Sequence, residues 1–139
     1  MGLTHARLRL TNARRPELAP VEVDALADTG SLHLCIPEHV AIQLQLDQLE
    51  RREITLADGS KRLVPYMGPV IVSFANRQCY AGAMVLGDEA LLGAIPMEDM
   101  DLVVLPDSRQ VAVNPKNPNI AVSIAKGLPT KACSGGDER

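Results

Sequence analysis

The sequence predicts a small, mostly β domain. Apolar and polar residues alternate in short, frequent stretches, the period-2 pattern of half-buried strands. Glycine and proline, ten of each, punctuate those stretches at close spacing. Only one segment carries a clear helical signature. A chain of 139 residues has room for a single core, and with aromatics at 2% that core must be aliphatic.

Residues 5–10 alternate strictly and read as the first strand. Residues 12–20, with Arg14, Arg15 and two prolines, read as a loop. Val21, Val23, Ala25 and Ala27 then share one face, which suits an edge or half-exposed strand running into Asp28. Pro37 opens the helical stretch, expected to reach about Leu46, because the first position of a helix has no intrahelical N–H bond to lose. Val40, Leu44 and Asp47 fall on its stripe, with Ala41 beside them. Residues 53–64 form a hairpin around Asp58-Gly59, a pair that suits a tight type I′ turn. Residues 70–74 are expected as a separate strand, turned by residues 76–78 into another that ends at Leu86. Residues 87–89 turn the chain again into Leu91-Leu92-Gly93, and residues 96–100 suit one helical turn. A last hairpin pairs residues 102–105 with 110–113. The predicted domain covers residues 1–114, with a C-terminal extension over 115–139 whose last six residues are expected to be disordered.

Composition excludes several functions. Net charge is −3, and Tyr66, Phe74 and Tyr80 are the whole aromatic complement, so neither a phosphate-binding surface nor a base-stacking platform is expected. Nucleic acid is therefore not an expected partner. No apolar run approaches the ~18–20 residues of a membrane helix, and the first residues lack a signal peptide's apolar stretch. The expectation is a cytoplasmic protein with no membrane partner. Cys35, Cys79 and Cys133 are odd in number and lack ligand spacing, which predicts neither a disulfide nor a zinc site. The histidines His5, His33 and His39 are assigned no role.

The stretch Ala25-Leu26-Ala27-Asp28-Thr29-Gly30-Ser31 is the most informative. Its carboxylate ends an extended apolar segment, where burial and fixed geometry are available. A glycine two residues on lets the backbone turn back and bring N–H groups to the carboxylate, and Ser31 can donate a further hydrogen bond. Two readings stay open on the motif alone: a catalytic carboxylate, or an Asp that caps a turn at a strand end. A phosphatase-type aspartyl nucleophile fits worse, since Gly30 stands where a second Asp is wanted. A carboxylate metal site fits worse too, since residues 31–36 hold no acid.

In their order along the chain, these stretches resemble the retropepsin-like aspartic proteases, in the small bacterial single-domain version. The resemblance covers roughly residues 21–105. It rests on the apolar strand into Asp28-Thr29-Gly30-Ser31, a flap-like hairpin with Ala57-Asp58-Gly59-Ser60 at its tip, and an apolar strand into Leu91-Leu92-Gly93 that matches the family's two-hydrophobics-then-glycine motif. A short helical turn and a strand follow. The implied fold is all-β and retropepsin-like: a closed small β-barrel or sandwich with a flap hairpin and one or two short helices, working as a homodimer.

The implied chemistry is peptide hydrolysis. Two carboxylates sharing one proton supply both an activated water and a proton for the departing nitrogen, because like charges a few ångström apart cannot both ionise. With one Asp-Thr-Gly per chain, the second carboxylate would come from a second copy across a two-fold axis. By the resemblance Asp28 is catalytic, Thr29 braces the loops across the axis, and the Gly30 carbonyl binds the substrate backbone, with Ser31 supporting the same loop. Ala57, Asp58 and Gly59 would close over the peptide, and Leu91, Leu92 and Gly93 would pack beneath the catalytic loop. No metal or organic cofactor is implied. The implied partners are a second copy and a peptide or protein substrate.

Retroviral members usually carry an acidic residue where Leu32 stands and an arginine where Ala94 stands. Both are missing here, so no buried charge loses its partner. The hairpin tip lacks the retroviral run of glycines. The expected function is an aspartic endopeptidase, with a catalytically silent dimeric peptide-binding or interaction module on the same fold as the alternative. Leu32, Leu34, Leu56, Leu63, Leu86 and Leu91 are expected to flank the cleft and favour apolar substrate side chains.

Overall fold

A computed structural model of the chain describes residues 3–125. In chain order the elements are β1 (His5–Asn12), β2 (Val21–Ala27), β3 (Leu34–Ile36), α1 (Glu38–Gln43), β4 (Asp47–Thr55), β5 (Lys61–Phe74), β6 (Arg77–Val85), β7 (Leu91–Leu92), α2 (Ala94–Asp99), β8 (Leu102–Leu105) and β9 (Gln110–Val113). Strands β5, β6, β3, β7, β2 and β1 lie side by side, and β1 pairs back onto β5, which closes a ring of six strands. Outside the ring, β4 flanks β5, and β9 followed by β8 flanks β1.

The core is aliphatic. Ala6, Leu8, Leu10 and Asn12 point inward from β1, and Leu34, Ile36, Leu44, Val70, Val72, Leu92 and Met100 are almost wholly buried. Each such large side chain contributes about 1.5–3 kcal/mol relative to exposure. Strand β2 shows the expected alternation but is no edge: it lies between β7 and β1, with a polar outer face.

The helix is shorter than the sequence suggested. It ends because Gln45 turns left-handed (φ 51°), with Gln45 N–H bonded to the Ile42 carbonyl at 3.0 Å and Leu46 N–H to the Ala41 carbonyl at 3.2 Å. Asp47 therefore leaves the helical stripe and opens β4, exposed. Asn12 belongs to β1 rather than to the loop. Its side-chain amide donates to the Leu44 carbonyl at 2.9 Å and the Gln45 carbonyl at 3.1 Å, acceptors that a helix end leaves over, while its Oδ1 accepts from Arg14 N–H at 2.9 Å.

The Asp58-Gly59 hairpin forms, but with a different turn. Only Gly59 has a positive φ (88°); Gly59 N–H bonds to the Leu56 carbonyl at 2.9 Å, and Leu56 N–H to the Ser60 carbonyl at 2.8 Å. This is a type I turn followed by a left-handed glycine, not the two-residue type I′ turn. Both arms are longer than expected. Strand β5 runs unbroken through Pro65, Gly68 and Pro69, with an irregular pairing between Met67 and Val70. The next turn is Ala75-Asn76, since Phe74 and Arg77 already pair.

The last hairpin, β8–β9, forms as expected, and β9 reaches β1 where His5 meets Gln110. Beyond it the chain is tied back by Asp101, whose carboxylate accepts from Asn114 Nδ2 at 3.1 Å, Asn117 Nδ2 at 2.8 Å and Val122 N–H at 3.1 Å. Cys133 and the expected disordered end, residues 134–139, lie outside the described residues. Among the described residues, no helix is long and apolar enough to cross a membrane.

Candidate active site

Asp28 stands where β2 leaves the ring. Its height is set by parallel pairing with β7, in which Leu26 meets Leu91 and Ala27 meets Leu92. Asp28 N–H then donates to the Leu92 carbonyl at 3.0 Å. The chain reverses at once: Ser31 N–H bonds to the Asp28 carbonyl at 3.1 Å. The reversal gives each carboxylate oxygen a donor from its own loop, Gly30 N–H on Oδ1 at 2.9 Å and the Ser31 hydroxyl on Oδ2 at 3.2 Å. Asp28 and Ser31 are half-buried, while Thr29 and Gly30 are exposed.

Gly93 is required by a close approach. A Cβ there would lie 2.5 Å from the His33 carbonyl oxygen and 2.6 Å from the Leu32 carbonyl carbon. The loop crosses directly over it and is lashed to the start of α2 by two backbone bonds, Ala94 N–H to Ser31 O at 2.8 Å and Ile95 N–H to Leu32 O at 2.9 Å. Leu32 and Ala94 therefore join their segments through the main chain, with no charged pair between them. Leu32 and Ile95 turn outward instead, 60% and 51% exposed.

A cleft of about 480 Å³ lies between this loop and the β4–β5 hairpin. Gly30, Ser31, Leu86 and Leu91 line it from the barrel side, and Ile54, Leu56 and Ala57 from the hairpin. Leu32 also lines it, but Leu34 does not: it faces the core. Leu63 is on the outer face of the hairpin, 61% exposed. At the tip, the Asp58 carboxylate is taken up locally, accepting from Ser60 N–H at 2.9 Å and from the Ser60 hydroxyl at 2.6 Å. That hydroxyl, chiefly, holds the Asp58 carboxyl below its ordinary range.

Glu53, Ile54, Thr55 and Met84 line the cleft without having been singled out in the sequence, and so do the two most reactive side chains there, His33 and Cys35. Leu34 and Ile36 of β3 point into the core, so strand alternation turns His33 and Cys35 to the cleft. The His33 ring meets the Tyr66 ring edge-on, centroids 6.2 Å apart, and the Arg52 guanidinium lies 3.9 Å from the centre of the Tyr66 ring. Arg52 Nε in turn donates to Glu50 at 2.6 Å. Burial first, and the Arg52 charge second, push His33 below the usual histidine range. Burial first, and then the Asp28 charge, push the Cys35 thiol up, which disfavours the thiolate a cysteine nucleophile needs. No three His, Cys, Asp or Glu side chains gather into a metal-binding set among the described residues.

No protein-family model and no curated protein matches the chain. Among solved structures, the retroviral protease-like domain of Ddi1 from Leishmania major matches with a TM-score of 0.52. The match covers 82% of this chain and 91% of that domain at 14% sequence identity. The chain has a retropepsin-like fold. In that fold the closed six-stranded ring is the body, and the β4–β5 hairpin and the Asp28 loop face one cleft.

Proposed function

We propose that the chain is an aspartic endopeptidase that works as a homodimer. The observation that carries this reading is the setting of Asp28: a half-buried carboxylate at a strand end, held on both oxygens by its own loop, beside a cleft roofed by a hairpin. Two such carboxylates across a two-fold axis would hold one proton between them. The ionised one takes a proton from a water, the water's oxygen attacks the peptide carbonyl, and the protonated one gives its proton to the departing nitrogen. Thr29, exposed at the loop's turn, is free to bond to the second copy. Closure of residues 57–59 over the peptide excludes bulk water.

Two features support a partner copy. Among the described residues, strand β8 ends the sheet with one edge unpaired, and Leu102-Val103-Val104-Leu105 carries no charge, proline or bulge of the kind that protects an edge. Leu32 and Ile95 expose apolar surface next to the Asp28 loop. A second reading, a catalytically silent peptide-binding module, draws on the hairpin tip: it holds one glycine and is fastened by the Asp58–Ser60 bonds, which stiffen it. Incubating the wild type and Asp28→Asn with a diverse peptide library across pH, read by mass spectrometry, separates the two. Cleavage by the wild type alone supports the protease. Cleavage by neither, with peptide still bound, supports the binder.

A further inference from the structure

His33 lines the cleft, and a stack of side chains from two further segments stands beside it. Arg52 comes from β4, Tyr66 from β5, and His33 from the turn between the Asp28 loop and β3. Gly82 of β6 lies so close under the Tyr66 ring that a Cβ there would force the ring to move. The Tyr66 ring packs edge-on against the His33 ring, which lines the cleft. Among the described residues, the neighbours act on that imidazole by burial and by charge, not by hydrogen bonds. Its donor and acceptor nitrogens are left for whatever enters the cleft.

We propose that His33 selects the substrate side chain in this cleft. It favours a side chain with an apolar stem and a hydrogen-bonding tip, glutamine or glutamate, over a hydrocarbon-like side chain of the same length. The inference rests on a peptide occupying the cleft, as in the function proposed above. The stem has Ile54, Leu86 and Leu91 to pack against. A hydrocarbon tip would strip water from the imidazole and leave both nitrogens unpaired, whereas an amide or carboxyl tip replaces that water.

The charge on His33 decides between the two tips. The charged or titratable groups around it are Tyr66 against the ring, Arg52, held on Glu50, then Glu53 at the cleft, and Asp28 and Cys35 on the barrel side. While His33 is neutral, one ring nitrogen donates and the other accepts, and a glutamine amide, being both donor and acceptor, pairs with whichever faces it. Once protonated, the ring has only donors to offer and carries a positive charge, which suits a carboxylate. Selection of glutamate therefore appears below the ordinary histidine range. It fades near pH ~4.3, where the substrate's own carboxyl takes a proton.

The test uses peptides varied to Gln, Glu or Met at each position flanking a cut. Turnover is measured with the wild type, His33→Leu and His33→Gln, and affinity with the same proteins carrying Asp28→Asn. At pH 7.5 the wild type should prefer Gln to Met by roughly three- to tenfold, and His33→Leu should lose that preference. The Glu-to-Gln ratio should climb several-fold from pH 7 to pH 5 in the wild type. His33→Gln keeps a hydrogen-bonding tip but cannot titrate, so it should retain the Gln preference and show a flat ratio. Cleavage with the same preferences in all three proteins would overturn the inference and leave the protease standing. His33-dependent affinities without any cleavage would uphold the inference and remove the protease. Neither binding nor cleavage would overturn both.

Discussion

Replacing Gly93 by alanine should loosen the loop that carries Asp28. The added Cβ would lie 2.5 Å from the His33 carbonyl oxygen, against an ordinary contact of 3.4 Å or more, so the loop must retreat by about 0.9 Å. Backbone neighbours cannot rotate away as a flexible side chain would. The same retreat stretches the Ala94–Ser31 bond from 2.8 Å to about 3.7 Å, beyond hydrogen-bond reach. Overpacking of this kind costs about 1–3 kcal/mol, and one lost backbone bond about 1 kcal/mol more. The expected loss is about 2–4 kcal/mol, or roughly 10 °C in melting temperature for a domain of this size. Urea unfolding followed by circular dichroism measures it. Gly87→Ala serves as the comparison: Gly87 has φ +76° with open space around it, so only the left-handed strain is charged, about 1–2 kcal/mol. A Gly93→Ala protein within about 0.5 kcal/mol of wild type would show that the loop does not press on Gly93 as described.

Other substitutions test other contacts. Asn12→Ala removes a buried side chain that joins β1 to the end of α1 and leaves its acceptors unpaired; a loss of about 2–3 kcal/mol in urea unfolding is expected, and a loss under 1 kcal/mol would deny the side chain that role. Cys35 should alkylate slowly at neutral pH, and Asp28→Asn should move its reactive range to lower pH by removing a neighbouring negative charge, as read by peptide mapping of the modified thiol. An unchanged profile would separate the two residues electrostatically. The Asp101 carboxyl is held below its ordinary range, first by the Asn114 side chain. Its contribution is thus fully present above the unfolded value of about 3.9 and is lost as pH falls through the lower folded value. Protection of the Val122 amide, taken as its exchange rate against the intrinsic rate at the same pH, should fall only in strong acid, and in Asp101→Asn at every pH; equal protection in that variant would detach the segment from Asp101.

Local signals in the sequence were enough for much of the fold. The alternation in β1 and β2, the proline before α1 and the turn residues before β7 each act within a few residues, and each element forms where its pattern lies. What misled were features whose meaning depends on partners. Pro65, Gly68 and Pro69 read as breaks between strands. Pro65 instead faces Arg51 of β4, and the other two sit at an irregularity in the β5–β6 pairing, where a missing N–H is tolerated. Asn12 reads as loop because only the fold brings the end of α1 within its reach. Asp28, Gly30 and Ser31 come together as a turn can, within three residues. His33 and Cys35 were missed because β3 has three residues, and its inward side is fixed by β6 and β7, far along the chain. The demand for glycine at position 93 is of the same kind, since the backbone it meets belongs to residues 32 and 33.

The closed ring has a consequence for the order in which the molecule can be made. Of the described strands β1 is made first, yet it lies against β2, β5 and β9, and its first residue meets Gln110. The ring itself cannot shut until β7 has emerged, since Leu91 and Leu92 join β2 to β3. A nascent chain halted before Leu91 thus has apolar strands with open edges and no barrel to hide them in. Such dependence on distant pairing slows folding and prolongs exposure to aggregation. Synthesis should therefore run past Leu92 before the barrel resists a protease, and arrested chains of increasing length should gain that resistance in one step, not gradually.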